Sequence, residues 1–132
     1  MEKIYKKLSM LIQLAQADNE FNVKEMAFIY NVGLRHGVNL EVIGDLIDKP
    51  MEYTDIKELT RVEKIECMVD VIQLMLVDGK VLPKEVEFCM MIGKQLGFEA
   101  QSLNELIAKV KLSMNITLGE LRAKIHQLIF AN

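Results

Sequence analysis

The chain has 132 residues, 51% hydrophobic and 27% charged, with a formal net charge of −3. That is one domain's length with an ordinary globular balance, which excludes a disordered chain. The acidic balance also argues against nucleic-acid binding, which needs a basic surface. The longest apolar run, around "VIQLMLV", is far too short to span a bilayer, so no membrane insertion is expected. No basic stretch followed by an apolar core opens the sequence, so no signal peptide is expected. Cys67 and Cys89 lack metal-ligand spacing and read as buried small hydrophobes of a reducing compartment, which predicts a cytoplasmic protein.

Only two prolines and seven glycines punctuate a chain rich in leucine, glutamate, lysine and methionine, so the prediction is all-helical. A first helix is predicted over about residues 3–17, with Ile4, Leu8, Leu11, Ile12 and Ala15 on one stripe. A second starts near Asn22, whose side chain can cap it, and Glu25 three positions later completes a capping-box pattern. It should stop at Gly37, the expected left-handed residue. A third covers about 40–48, and "DKPMEYTDIKEL" then reads as a connector. "TRVE" at Thr60–Glu63 caps a long helix that is apolar on most sides and so reads as central. Pro83 opens the next helix, where its missing N–H costs nothing, and Gly97 closes it. A sixth helix spans about 100–112, and "TLGE" at Thr117–Glu120 starts a seventh.

Residues 11–49 lie over 71–109 without a gap, with twelve identities in 39 positions. Average composition would give roughly two or three. The identities include Asp18/Asp78, Glu25/Glu85, Phe28/Phe88, Gly33/Gly93 and Gly37/Gly97. The expected architecture is therefore a single domain of about seven helices around a duplicated three-helix unit. Its parts are repeat 1 (3–49), a connector (50–59), repeat 2 (60–112) and a final helix (117–131). Gly33 and Gly93 fall mid-helix, where glycine costs about 1 kcal/mol, and predict close approach of another helix backbone.

"ADNEFNVKEM" and "VDGKVLPKEV" carry the paired acids. Asp18 and Asp78 close a helix, where a carboxylate meets the negative dipole end and unpaired carbonyls. Glu25 and Glu85 sit in the first turn of the next helix, where a carboxylate is favoured. Two readings stand. The acids are helix caps worth about 1 kcal/mol each. Alternatively, Asp18, Glu25, Asp78 and Glu85 join loop carbonyls in oxygen cages for Ca²⁺ or Mg²⁺, with no histidine or cysteine to favour zinc. An EF-hand is excluded, because Val23 stands where loop position six needs glycine and Ile29 where position twelve needs glutamate.

These two stretches resemble the A-D-G-x-(x)n-E signature of the TerB-like family, the tellurite-resistance TerB proteins, and the N-terminal domain of DjlA-type co-chaperones is similar. The resemblance covers about residues 5–130. It implies an all-helical, internally duplicated fold, acidic clusters proposed to bind metal, and roles in stress response or membrane-linked signalling assemblies. Carried over by position, the acids are Asp18 and Glu25, then Asp78 and Glu85. The first copy departs from the pattern at Asn19, where the second has Gly79; asparagine tolerates the left-handed conformation such a turn needs.

His36 aligns with the apolar Leu96 and reads as a packed or rim histidine, while His126 reads as surface. No nucleophile-elbow, P-loop or H-E-x-x-H pattern occurs, so a non-enzymatic role is expected. Phe28 and Phe88 either pack against their own third helix or the other repeat, or form an exposed patch for a protein partner or a homodimer. The expectation is a cytoplasmic TerB-like domain that binds partners and a divalent cation, or else a scaffold whose acids only cap helices.

Overall fold

The computed structural model describes residues 2–17, 22–51, 59–77, 79, 81–112 and 115–131, with backbone alone for 2 and 128–131. Among them are seven helices and no strand: α1 (Glu2–Gln16), α2 (Val23–Arg35), α3 (Leu40–Asp48), α4 (Arg61–Leu76), α5 (Pro83–Gln95), α6 (Ala100–Leu112) and α7 (Leu118–Ala131). The all-helical prediction holds, and the helix limits fall within about a residue or two of those expected. Among the described residues, no helix is long and apolar enough to cross a membrane.

Local chemistry explains where the helices begin. Asn22 Oδ1 accepts from the Glu25 N–H at 2.9 Å, and Glu25 Oε1 accepts from the Asn22 N–H at 3.3 Å. Thr60 and Glu63 form the same reciprocal box ahead of α4. Thr117 accepts from the Glu120 N–H ahead of α7. Leu82 precedes α5 without a side-chain cap, and Pro83 follows at the first turn.

The ends of α2 and α5 are equally determined. Gly37 (φ 79°) and Gly97 (φ 98°) take the left-handed conformation. The next N–H groups reach back, Val38 to the Gly33 carbonyl and Phe98 to the Gly93 carbonyl, each at 3.0 Å. This is the Schellman closure, and it buries Val38 and Phe98 against the core.

Gly33 and Gly93 differ from expectation in one respect. A Cβ built on Gly33 would lie 2.6 Å from Ile43 Cδ1, and one on Gly93 2.6 Å from Leu103 Cδ1. What approaches is thus a side chain of the following helix, not another backbone. Glycine here makes a socket for the buried knob of α3 or α6.

The core forms where α1 and α4 meet. Leu8, Leu11, Ile12 and Ala15 of α1 are fully buried, as the stripe predicts. In α4 every side chain from Cys67 to Ile72 is buried, because α1, α5 and α7 pack around it. Ser9, also fully buried, accepts the Met51 N–H at 2.9 Å, and Gln13 donates to the Met51 carbonyl at 3.3 Å. Two polar side chains of α1 thereby tie down the chain just after α3.

Candidate functional site

Two acidic elbows, α1–α2 and α4–α5, carry the carboxylates singled out in the sequence. Glu25 and Glu85 are each 2% exposed. Each turns back over its own elbow, Glu25 towards the Asn22 N–H and Glu85 towards the Leu82 N–H at 3.1 Å. Capping alone does not demand this burial. Glu63 occupies the same position in the α4 box with its side chain 36% exposed, and Glu120 in the first turn of α7 is exposed.

Asp18 and Asp78, the other two predicted ligands, lie outside the described residues, as do Asn19 and most of the connector. The described part of each elbow thus supplies one carboxylate. Among the described residues, no three histidine, cysteine or carboxylate side chains gather as a metal site would require. The donors present are oxygen only, which suits a hard cation rather than zinc. Gly79 is left-handed at φ 79°, so the second elbow makes the turn its sequence calls for.

A second charged assembly escaped the sequence reading. Lys7 Nζ lies 2.5 Å from Asp70 Oδ2, with side chains 17% and 6% exposed, and Arg35 approaches the other oxygen at 3.9 Å. Nearby, Arg122 of α7 holds Glu66 of α4 through both carboxylate oxygens, at 2.8 and 3.0 Å. Four helices therefore meet through alternating charges along the middle of α4. The signal was present in "CMVDVIQLML", where Asp70 is the one charge inside an apolar run. Its partner, Lys7, is indistinguishable in sequence from the other lysines of α1.

The electrostatics follow from that geometry. The hydrogen bond from Arg122 holds the Glu66 carboxyl below its ordinary value, against partial desolvation. His36 sits on the rim beside this assembly. Loss of water around it, aided by the Lys7 charge, lowers its pKa below 6.5, while Asp70 acts in the opposite sense. Cys67 and Cys89 are free and buried, and desolvation pushes each thiol up to about 12.

Phe28 and Phe88 are half-buried and lie against the core, consistent with the packing role. His126 is exposed. Comparison of the chain with protein-family models, with curated proteins and with solved structures returns no match.

Proposed function

We propose that this chain is a non-enzymatic helical binding module of the TerB-like kind, a doubled three-helix unit whose two elbows take up Ca²⁺ or Mg²⁺ and which works by engaging protein partners. The observation that carries this reading is the burial of Glu25 and Glu85, set against the half-buried Glu63 of the α4 box and the exposed Glu120 in the first turn of α7. Something beyond capping draws the two elbow carboxylates inward. Asp18 and Asp78, carried over from the TerB-like signature, would be the companion ligands, and a bound cation would offset the charge each pair concentrates at a helix end. The role that follows by resemblance is in stress-response or tellurite-resistance assemblies. Free, buried thiols suit a reducing compartment such as the cytoplasm.

The second reading, a scaffold whose acids are caps, is favoured by the reciprocal hydrogen bonds that Glu25 and Glu85 make to their own elbows. Calorimetric titration with Ca²⁺, Mg²⁺ and Zn²⁺ separates the two. On the cation reading, Ca²⁺ or Mg²⁺ binds with a Kd below about 1 mM and raises Tm as free-ligand linkage requires. Asp78→Asn with Glu85→Gln removes the response of the second elbow. No response to any ion, with Glu25→Gln and Glu85→Gln losing stability in chelator-treated buffer, decides for caps.

A further inference from the structure

The outward face of α2 carries apolar side chains that the fold leaves largely exposed, with Tyr30 partly buried against the core at the stripe's edge. Val23, Met26, Ala27, Tyr30 and Leu34 follow one line along the helix, opposite the buried Glu25, Ile29 and Val32. Val23 is 82% exposed, Met26 37% and Leu34 49%, while Leu40 at the start of α3 is 59% exposed. The line runs for about 16 Å at 1.5 Å per residue.

Opposite charges border it. On one side the helical turn places Lys24, Asn31 and Arg35, all exposed. Arg35 also reaches Asp70 at 3.9 Å while keeping 60% of its side chain exposed. On the other side lies α3, held there by Ile43 in the Gly33 socket and by Gly44 beneath the Tyr30 hydroxyl. The outward residues of α3 are Glu41, Asp45 and Asp48, all exposed. The surface therefore passes from a border holding two cations, Lys24 and Arg35, through an apolar stripe to three acids.

We propose that this face is the contact between two copies of the chain, with their α2 helices side by side about a twofold axis parallel to α2. That operation lays stripe on stripe and sets each copy's Lys24–Arg35 border against the other's Glu41–Asp48 border. An antiparallel arrangement would bring like charges together. Sixty residues on, the corresponding positions hold Pro83, Val86, Glu87, Met90 and Lys94, and Gln101 and Ala108 replace two of the acids. The corresponding α5–α6 face does not repeat the pattern, because Glu87 and Lys94 interrupt its stripe. A patch this short makes a weak, reversible dimer, at or below the roughly 1,200 Å² of small interfaces. This inference is independent of whether the elbows bind a cation.

Sedimentation equilibrium over a wide concentration range tests it. The weight-average mass should rise from one chain towards two, and Met26→Glu with Leu34→Glu should weaken association by about tenfold or more while helical circular dichroism is retained. Lys24→Glu/Asn31→Glu alone and Glu41→Lys/Asp45→Lys alone should each stay single, and an equimolar mixture should associate. A wild-type chain that stays single throughout overturns the proposal. So does a dimer indifferent to the α2 substitutions, or a mixture that does not associate. Binding of an amphipathic helical peptide to this stripe by a chain that never self-associates also overturns it.

Discussion

Lys7 and Asp70 face each other across the α1–α4 contact with nitrogen and oxygen 2.5 Å apart, a charge pair drawn largely out of water. In the gapless alignment of 11–49 with 71–109, extended one residue back, Asp70 falls on Met10, which is fully buried. One stretch therefore carries a methionine where the other carries an ion. Removing one charge leaves the other uncompensated, which costs about 3–5 kcal/mol for a buried pair. Asp70→Asn should lose most of that in urea unfolding. Asp70→Met with Lys7→Met should recover most of it, since it repeats the apolar solution at Met10. A double variant whose loss equals the sum of the losses of Asp70→Met and Lys7→Met alone would show that the pair is not coupled.

Asn22 supplies a side-chain cap that Leu82 lacks. Asn22→Ala should cost about 1 kcal/mol, within the range of measured N-cap replacements. Thr60→Ala and Thr117→Ala should fall in the same range. Equilibrium denaturation of the three variants checks this, and an unchanged midpoint for Asn22→Ala would contradict it.

The two glycine sockets predict an unusual sign. Alanine in a helix interior normally gains about 1 kcal/mol over glycine. At Gly33 and Gly93 a Cβ would intrude to 2.6 Å on fully buried side chains, and overpacking typically costs about 1–3 kcal/mol. Both substitutions should therefore lower Tm. Shortening the knob, with Ile43→Val beside Gly33→Ala, should return part of the loss. A Gly33→Ala protein more stable than wild type would refute the socket.

Acid sensitivity follows from Glu66. Its folded pKa is depressed by Arg122 below the ordinary 4.5, so its contribution is complete above that value and is lost as pH falls through the folded value. Arg122→Gln should cost stability near neutrality, and the gap to wild type should close on acidification below about pH 4.5. His36 also has a lowered pKa, so protonation opposes the fold. Stability is unaffected above 6.5 and declines as pH falls from there towards the folded value. His36→Gln should remove that decline, and the His36 ring protons should titrate below 6.5 by NMR.

The two thiols should be unreactive in the native state. With desolvation raising both to about 12, an aromatic disulfide reagent at neutral pH should find almost no thiolate. Both should react once the chain is unfolded in denaturant. Rapid native labelling of either would contradict the packing around α4.

Much of this was legible in residue order because helix signals are local. Asn22 with Glu25, Thr60 with Glu63, Pro83, Gly37 and Gly97 each act within a turn of their own position, and all do what their spacing predicts. That Glu25 and Glu85 turn back to the N–H three residues earlier was legible in the same way, since a capping box is a local pattern. The burial of Glu25 and Glu85 was not, because it depends on what closes over the carboxylate.

The sequence by itself determined that the chain is helical, where most helices begin and stop, and which stripe of α1 is apolar, because backbone capping and side-chain period are short-range physics. Only the tertiary structure decided that Lys7 answers Asp70 across 63 positions, that Arg122 answers Glu66 across 56, and that Ile43 fills the place a Gly33 Cβ would take. Charge pairing and close packing depend on distances between helices, and these are set only once all of them compete for the same core.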